Sequence, residues 1–201
     1  NNRNNQIIDY KYYYSSKSFL NPKLKSEFLN WVHLKISCCN FNRKKCLILD
    51  FDNTLWGGTI GDVGYKNIIV NNETPEGESF LSFQRYLKTL TEQGIILAGC
   101  SKNNEAIATT AFKNKNMILS KEDFALLKIN FNNKAQNINE ILKELNILPH
   151  SAIFLDDSKI ECDLVKKSFP EMRVIHLGDD SSLFIKKIDN FYPFFFQNLT
   201  K

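Results

Sequence analysis

The sequence predicts an α/β fold with a mainly parallel sheet covered by helices on both faces, and three observations predict it. Short runs that are apolar from end to end recur at Cys46–Leu49, Ile95–Ala98 and Ala152–Leu155. A strand with no polar face must be covered on both sides, which is the mark of a parallel sheet. Between these runs lie segments with apolar residues at helical spacing, giving the strand–helix alternation of an α/β domain. Each apolar run is followed by reactive side chains: Asp50-Phe51-Asp52, Cys100-Ser101-Lys102-Asn103 and Asp156-Asp157.

The elements follow in order. Cys46–Leu49 is a buried strand ending at Asp50. After a Gly-rich stretch, Thr74-Pro75 opens a helix, Pro being tolerated at the first helical position. Its stripe is Phe80, Phe83, Leu87 and Leu90, and Gly94 stops it. Ile95–Ala98 is the second strand. A polar helix is predicted from about Asn104, then a short helix over 120–125 and a small strand over 127–129. Lys134 to Leu145 carries Ile138, Ile141, Leu142 and Leu145 on one helical face. Ala152–Leu155 is the third buried strand, followed by a helix to about Ser168 and a weaker strand over Arg173–His176. The expected organisation is a helical lead-in over 1–43, with Leu24, Phe28, Trp31 and Leu34 leaning on the sheet, a catalytic domain over 44–190, and an aromatic tail over 191–201.

Composition narrows the function. With 201 residues, 43% hydrophobic and only 8 Gly and 5 Pro, the chain can bury a core and is not a disordered tail. No apolar run approaches the roughly 18–20 residues of a membrane span, so no membrane partner is expected. The net charge of +4 is spread along the chain without a basic stripe, so no nucleic acid is expected either. The five cysteines, Cys38, Cys39, Cys46, Cys100 and Cys162, form no C-x-x-C pair, and a reducing cytoplasm is the simplest setting. The opening Asn-Asn-Arg-Asn-Asn reads as the start of a piece of a longer polypeptide.

The chemistry gathers at the strand ends, where open parallel sheets place their ligands. Carboxylates brought together there repel one another and raise one another's pKa. A hard cation resolves the repulsion, and Mg²⁺ favours a few carboxylates with water and phosphate completing its shell. Asp157 alone would pass for a turn former or helix cap. Asp50 and Asp52 share one strand face at period two. The Asp-Asp pair also resembles the metal-binding strand of a nucleotide triphosphatase, but the phosphate-binding G-x-x-x-x-G-K-[ST] loop is missing.

Asp50-Phe51-Asp52-Asn53-Thr54 reads as D-x-D-x-T after an apolar strand, and with Ser101, Lys134 and Asp156-Asp157 in order it resembles the haloacid dehalogenase (HAD) superfamily. The resemblance narrows to its FkbH-like branch through Trp56-Gly57-Gly58, Cys100-Ser101-Lys102-Asn103, Glu122-Asp123-Phe124 and Phe154-Leu155-Asp156-Asp157. It implies a HAD-like Rossmannoid fold with a small flap after the first motif, shaped by Gly57, Gly58, Gly61 and Asp62, with Trp56 as a wall. It implies that Asp50 is the phosphate-accepting nucleophile, Asp52 the acid/base, and Asp50, Asp52, Asp156 and Asp157 the Mg²⁺ ligands. Thr54, Trp56, Gly57, Gly58, Ser101, Lys102, Asn103 and Lys134 would bind substrate and phosphate, with Lys134 also catalytic.

That branch implies a bifunctional acyltransferase and phosphatase. It would take a small phosphorylated three-carbon acyl donor, 1,3-bisphosphoglycerate or a relative, onto Cys100. Asp50 would remove the phosphate, and a glyceryl or lactyl unit would pass to the phosphopantetheine arm of an acyl carrier protein. A thiolate is a good nucleophile for an acyl phosphate, and Mg²⁺ with Lys102 or Lys134 nearby would favour the thiolate. The chain departs from the branch at Asp157-Ser158-Lys159, where Asp-Asn-Pro is common, and over 112–117, which lacks His-Pro. His176 stands at a strand end as a further base or as an edge residue. Two other readings are an ordinary Mg²⁺-dependent HAD phosphatase, with Cys100 as packing, and a non-catalytic domain that docks a carrier protein.

Overall fold

Cys46-Leu47-Ile48-Leu49 forms the central strand β1, with every side chain buried. The computed structural model describes residues 10–17, 21–29, 31–32 and 44–190, the side chain of Lys23 apart. Leu34, Cys38, Cys39 and the aromatic tail lie outside the described residues. The chain divides into two units, 1–41 and 42–201. In the first, Tyr10–Ser16 is helical and the Phe28 and Trp31 rings stack with centroids 6.0 Å apart.

Among the described residues, the second unit carries a five-stranded sheet in the order β3-β2-β1-β4-β5, with every pairing parallel. The other strands are β2 (Ile96–Ser101), β3 (Phe124–Ile129), β4 (Ala152–Asp156) and β5 (Arg173–His176). The chain runs outward from β1 through β2 to β3, then crosses to the other side of β1 as β4. Asp50 and Asp156 end the two strands that flank this reversal, the place where an open α/β sheet binds ligands.

Alternation along β1 divides the core into two layers. Leu47 and Leu49 face one apolar cluster; Cys46 and Ile48 face the other. Helix α1 (Pro75–Glu92) covers the first with Phe80, Phe83, Leu87 and Leu90, aided by Phe184 of α4 (Phe184–Asp189). Helix α2 (Lys134–Glu144) covers the second with Ile138, Ile141 and Leu142, joined by Val165 of α3 (Lys159–Ser168). Each such side chain, fully buried, contributes roughly 1.5–3 kcal/mol of transfer free energy. The expected parallel sheet covered on both faces is what forms.

Helix α1 starts as its sequence predicts. Thr74 Oγ1 accepts a hydrogen bond from Gly77 N at 3.1 Å, Pro75 takes the first turn, and Gly94 follows the helix with φ 87°. The 120–125 segment differs from expectation. Asp123 Oδ2 accepts from Ser120 N at 2.8 Å and from its hydroxyl, so one 3₁₀ turn, Lys121–Asp123, closes on itself. β3 then begins at Phe124, three residues earlier than predicted.

Gly99 allows a close approach in the sheet. A Cβ there would lie 2.6 Å from the Phe51 ring and 2.7 Å from Leu127. Phe51 therefore lies against bare backbone, with Asp50 and Asp52 on either side of it in the chain.

Candidate metal and phosphoryl-transfer centre

Helix α2 begins above the carboxyl ends of β1 and β4, which brings its first residue, Lys134, between two acids. Its ammonium donates to Asp50 Oδ2 at 2.9 Å and to Asp156 Oδ2 at 2.6 Å, and the side chain is only 3% exposed. Burial alone would lower its pKa; the carboxylates of Asp50 and Asp156 outweigh burial and hold it above its ordinary value. Asp156 is fully buried, and its Oδ1 accepts from Ser158 N at 2.8 Å. Burial and the Asp50 charge push Asp156 up despite Lys134, because one ammonium cannot neutralise both acids.

Asp157 adds a third carboxylate. Ligand atoms of Asp50, Asp156 and Asp157 lie within 4.8 Å of one another. Three carboxylates against one ammonium leave two negative charges unmatched in a largely desolvated site. Asp50 Oδ1 is buried with no hydrogen-bond partner among the described residues. A group this costly to leave unsatisfied indicates a missing ligand. An oxygen-only set of few carboxylates fits Mg²⁺, whose remaining positions go to water and phosphate.

Asp52, expected among the Mg²⁺ ligands, stands outside that carboxylate cluster. Its carboxylate is taken up by neutral donors: Oδ1 accepts from Trp56 Nε1 at 2.9 Å and Ile60 N at 3.0 Å, and Oδ2 from Asn103 Nδ2 at 2.9 Å. Burial nevertheless raises its pKa, with the hydrogen bonds from Ile60 and Trp56 opposing and the charges of Asp50 and Asp157 adding to the rise. That suits a group which must hold and release a proton.

The flap forms after the first motif. Gly57 and Ile69 exchange backbone hydrogen bonds at 3.0 and 2.8 Å, and a helical turn, Ile60–Val63, lies between them. Gly58 adopts φ 90°, which favours glycine, and its N–H donates to Asn53 Oδ1 at 2.9 Å. Trp56 is fully buried, its ring 5.4 Å from Phe51, so it is a wall that holds Asp52 rather than a surface.

Several expected phosphate contacts are placed differently. Asn103 serves Asp52. Lys102 turns to Glu161 Oε1 at 2.7 Å. Thr54 is fully buried, its hydroxyl without a partner among the described residues. Ser101, at 2% exposure, ends β2 beside the crevice.

Cys100 is not placed as a nucleophile needs. On β2 it shares a face with Ala98, and this face is covered by α2, so the thiol joins the apolar cluster of Ile48, Ile138 and Phe154. It is 0% exposed, and its Sγ lies 3.9 Å from the Lys134 carbonyl oxygen. Burial pushes the thiol up to about 12; Lys134 lowers it, but Asp50, Asp156 and Glu161 reinforce the rise. The expectation that nearby cations free a thiolate is reversed, because burial outweighs Lys134 and the surrounding carboxylates add to the rise.

Sequence reasoning missed Glu161, the partner of Lys102. Ser158-x-x-Glu161 is a helix-start pattern, so the glutamate was legible as a cap and not as a counter-ion. His176 Nε2 lies 2.8 Å from the Asp157 backbone oxygen, bracing a site residue rather than entering the crevice.

No family model matches the chain, and no curated protein does. Among solved structures, the N-terminal part of BF1531 from Bacteroides fragilis, which contains a phosphatase domain and was crystallised with Mg, is similar at 36% identity and a TM-score of 0.81. The match covers 94% of this chain and 50% of that one, so this chain spans about half the length of that relative. A HAD-superfamily hydrolase from Geobacter sulfurreducens matches at 12% identity and a TM-score of 0.49, over 72% of this chain and 99% of that one. A phosphatase-named protein from Clostridium difficile matches at 13% and 0.49, over 67% and 85%. Matches as distant as these last two say nothing of chemistry. By its all-parallel sheet, its flap and its likeness to that Mg-bound phosphatase domain, the chain has the HAD-like Rossmannoid fold.

Proposed function

We propose that this protein is a Mg²⁺-dependent phosphatase working through an aspartyl phosphate. One observation carries the reading: Asp50, Asp156 and Asp157 converge within 4.8 Å of one another, the buried Lys134 pairs with only the first two, and one oxygen of Asp50 has no hydrogen-bond partner among the described residues. The likeness to a phosphatase domain crystallised with Mg supports it.

Asp50, Asp156 and Asp157 would hold the ion, which when bound supplies charge that draws the phosphate dianion towards acids that otherwise repel it. Asp50 attacks phosphorus as a carboxylate, and Asp52 gives its proton to the leaving oxygen. Asp52 then takes a proton from the water that hydrolyses the aspartyl phosphate, so one group serves both halves. Lys134 orients Asp50 through their ion pair, and its charge adds to the stabilisation of the transferring group. Phosphate release from p-nitrophenyl phosphate tests this. Turnover should require Mg²⁺ and stop in EDTA; turnover undiminished by EDTA sinks the reading.

A finer reading adds acyl transfer from a three-carbon acyl phosphate to Cys100 and then to an acyl carrier protein. Its support is the resemblance at Trp56-Gly57-Gly58 and Cys100–Asn103; against it stands the burial of the Cys100 thiol, which would have to become accessible. Intact-mass spectrometry after incubation with 1,3-bisphosphoglycerate and Mg²⁺ separates the two. An acyl adduct absent from Cys100→Ala supports transfer, and its absence from the unaltered protein leaves the phosphatase.

A further inference from the structure

We propose that the hollow between the flap and the segment 113–116 is an anion site, taking a phosphate or carboxylate group outside the catalytic crevice. The cavity is about 320 Å³ and is lined by Tyr65, Lys66, Lys113, Asn114, Lys115 and Asn116. That volume is at the small end of ligand pockets, enough for one compact group.

The charge around it is one-sided. Three of the six lining residues are lysines and none is an acid. Elsewhere Lys88, Lys102, Lys128 and Lys134 each meet a carboxylate. Lys66, Lys113 and Lys115 make no ion pair among the described residues. Like charges around one hollow repel, and an oxyanion seated there replaces each repulsion with an attraction.

The wall is also built rather than incidental. Asn114 Nδ2 donates to the Tyr65 carbonyl at 2.8 Å, tying the two segments together, and Asn114 Oδ1 accepts from Asn116 N at 3.0 Å. The Lys66 ammonium stands 5.9 Å from the centre of the Tyr65 ring, a cation–π distance that keeps it at the wall. The same flap gives its Ile60 N–H to Asp52, so an occupant of this hollow touches the segment that holds the acid/base carboxylate.

The test separates this site from the crevice. In EDTA the crevice carries unmatched negative charge and repels anions, so pyrophosphate titrated into metal-free protein reads the lysines. Saturable binding is expected, with amide shifts at Lys66 and 113–116. Affinity should fall about fivefold for each lysine changed to alanine and be kept by Lys→Arg. Circular dichroism checks that the variants fold. Absence of saturable binding, or binding that the lysine variants leave alone and Asp50→Asn strengthens, overturns the proposal.

A second arm, with Mg²⁺, distinguishes the two sources of the anion. If the occupant is the remote end of a phosphorylated substrate, the lysine variants raise KM for phosphoglycolate and not for ethyl phosphate. If it is a free anion, both KM values stay and only pyrophosphate binding is lost. The titration needs no turnover, so it decides the site even if the phosphatase reading fails.

Discussion

Asp50 and Asp52 are two residues apart and live in opposite surroundings. Asp50 faces a buried ammonium and two further acids, with one oxygen left without a partner among the described residues. Asp52 faces an indole N–H, a backbone N–H and an amide, with both oxygens engaged. The first environment awaits a cation and an electrophile. The second is already complete, and burial leaves its proton easier to keep. On the phosphatase reading proposed above, what neighbouring loops direct at two identical side chains divides them into nucleophile and acid/base.

The largest expected effect breaks the first environment. Asp50→Asn should lower phosphatase kcat by roughly 10⁴-fold or more, since no other group can carry the phosphoryl intermediate. The same variant should be more stable than the unaltered protein in EDTA, because a repelling charge is gone. A thermal melt showing the reverse would mean that the Lys134 pair outweighs the repulsion.

Asp52→Asn should cost about 10²–10⁴-fold in kcat, the usual range for a lost acid/base group, and leave Mg²⁺ binding intact. Magnesium itself sharpens the contrast. At about 100 times its Kd it should stabilise the protein by ~2.7 kcal/mol, or roughly 5–10 °C in melting temperature. That gain should persist in Asp52→Asn and vanish in Asp156→Asn; a gain lost in both would put Asp52 among the ligands after all. The smallest effect belongs to Trp56→Phe, which removes one hydrogen bond to Asp52 and keeps most of the packing. About 1 kcal/mol, near fivefold in kcat with KM unchanged, is expected in steady-state kinetics.

The strand ends were legible because they combine two signals that chance seldom joins, an apolar run with no polar face and an acid at its end. Lys134 was legible only by its order among the motifs; nothing local distinguishes it from a solvated lysine at a helix start. The face on which Cys100 lies follows from strand parity with Ala98, yet parity does not say which face a helix will seal or where that helix begins. Hydrogen bonds across long loops escaped altogether. Gln84 is fully buried and bridges Leu55 O, at 2.9 Å, to Ile118 N, also at 2.9 Å, joining segments that no periodicity connects.

Gly99 makes the placement of Asp50 and Asp52 depend on a residue with no chemistry of its own. A methyl there would begin 2.6 Å from the Phe51 ring and 2.7 Å from Leu127, so any replacement must displace both side chains, and Phe51 lies between the two aspartates in the chain. A saturation library at this codon, selected for turnover, should return glycine alone.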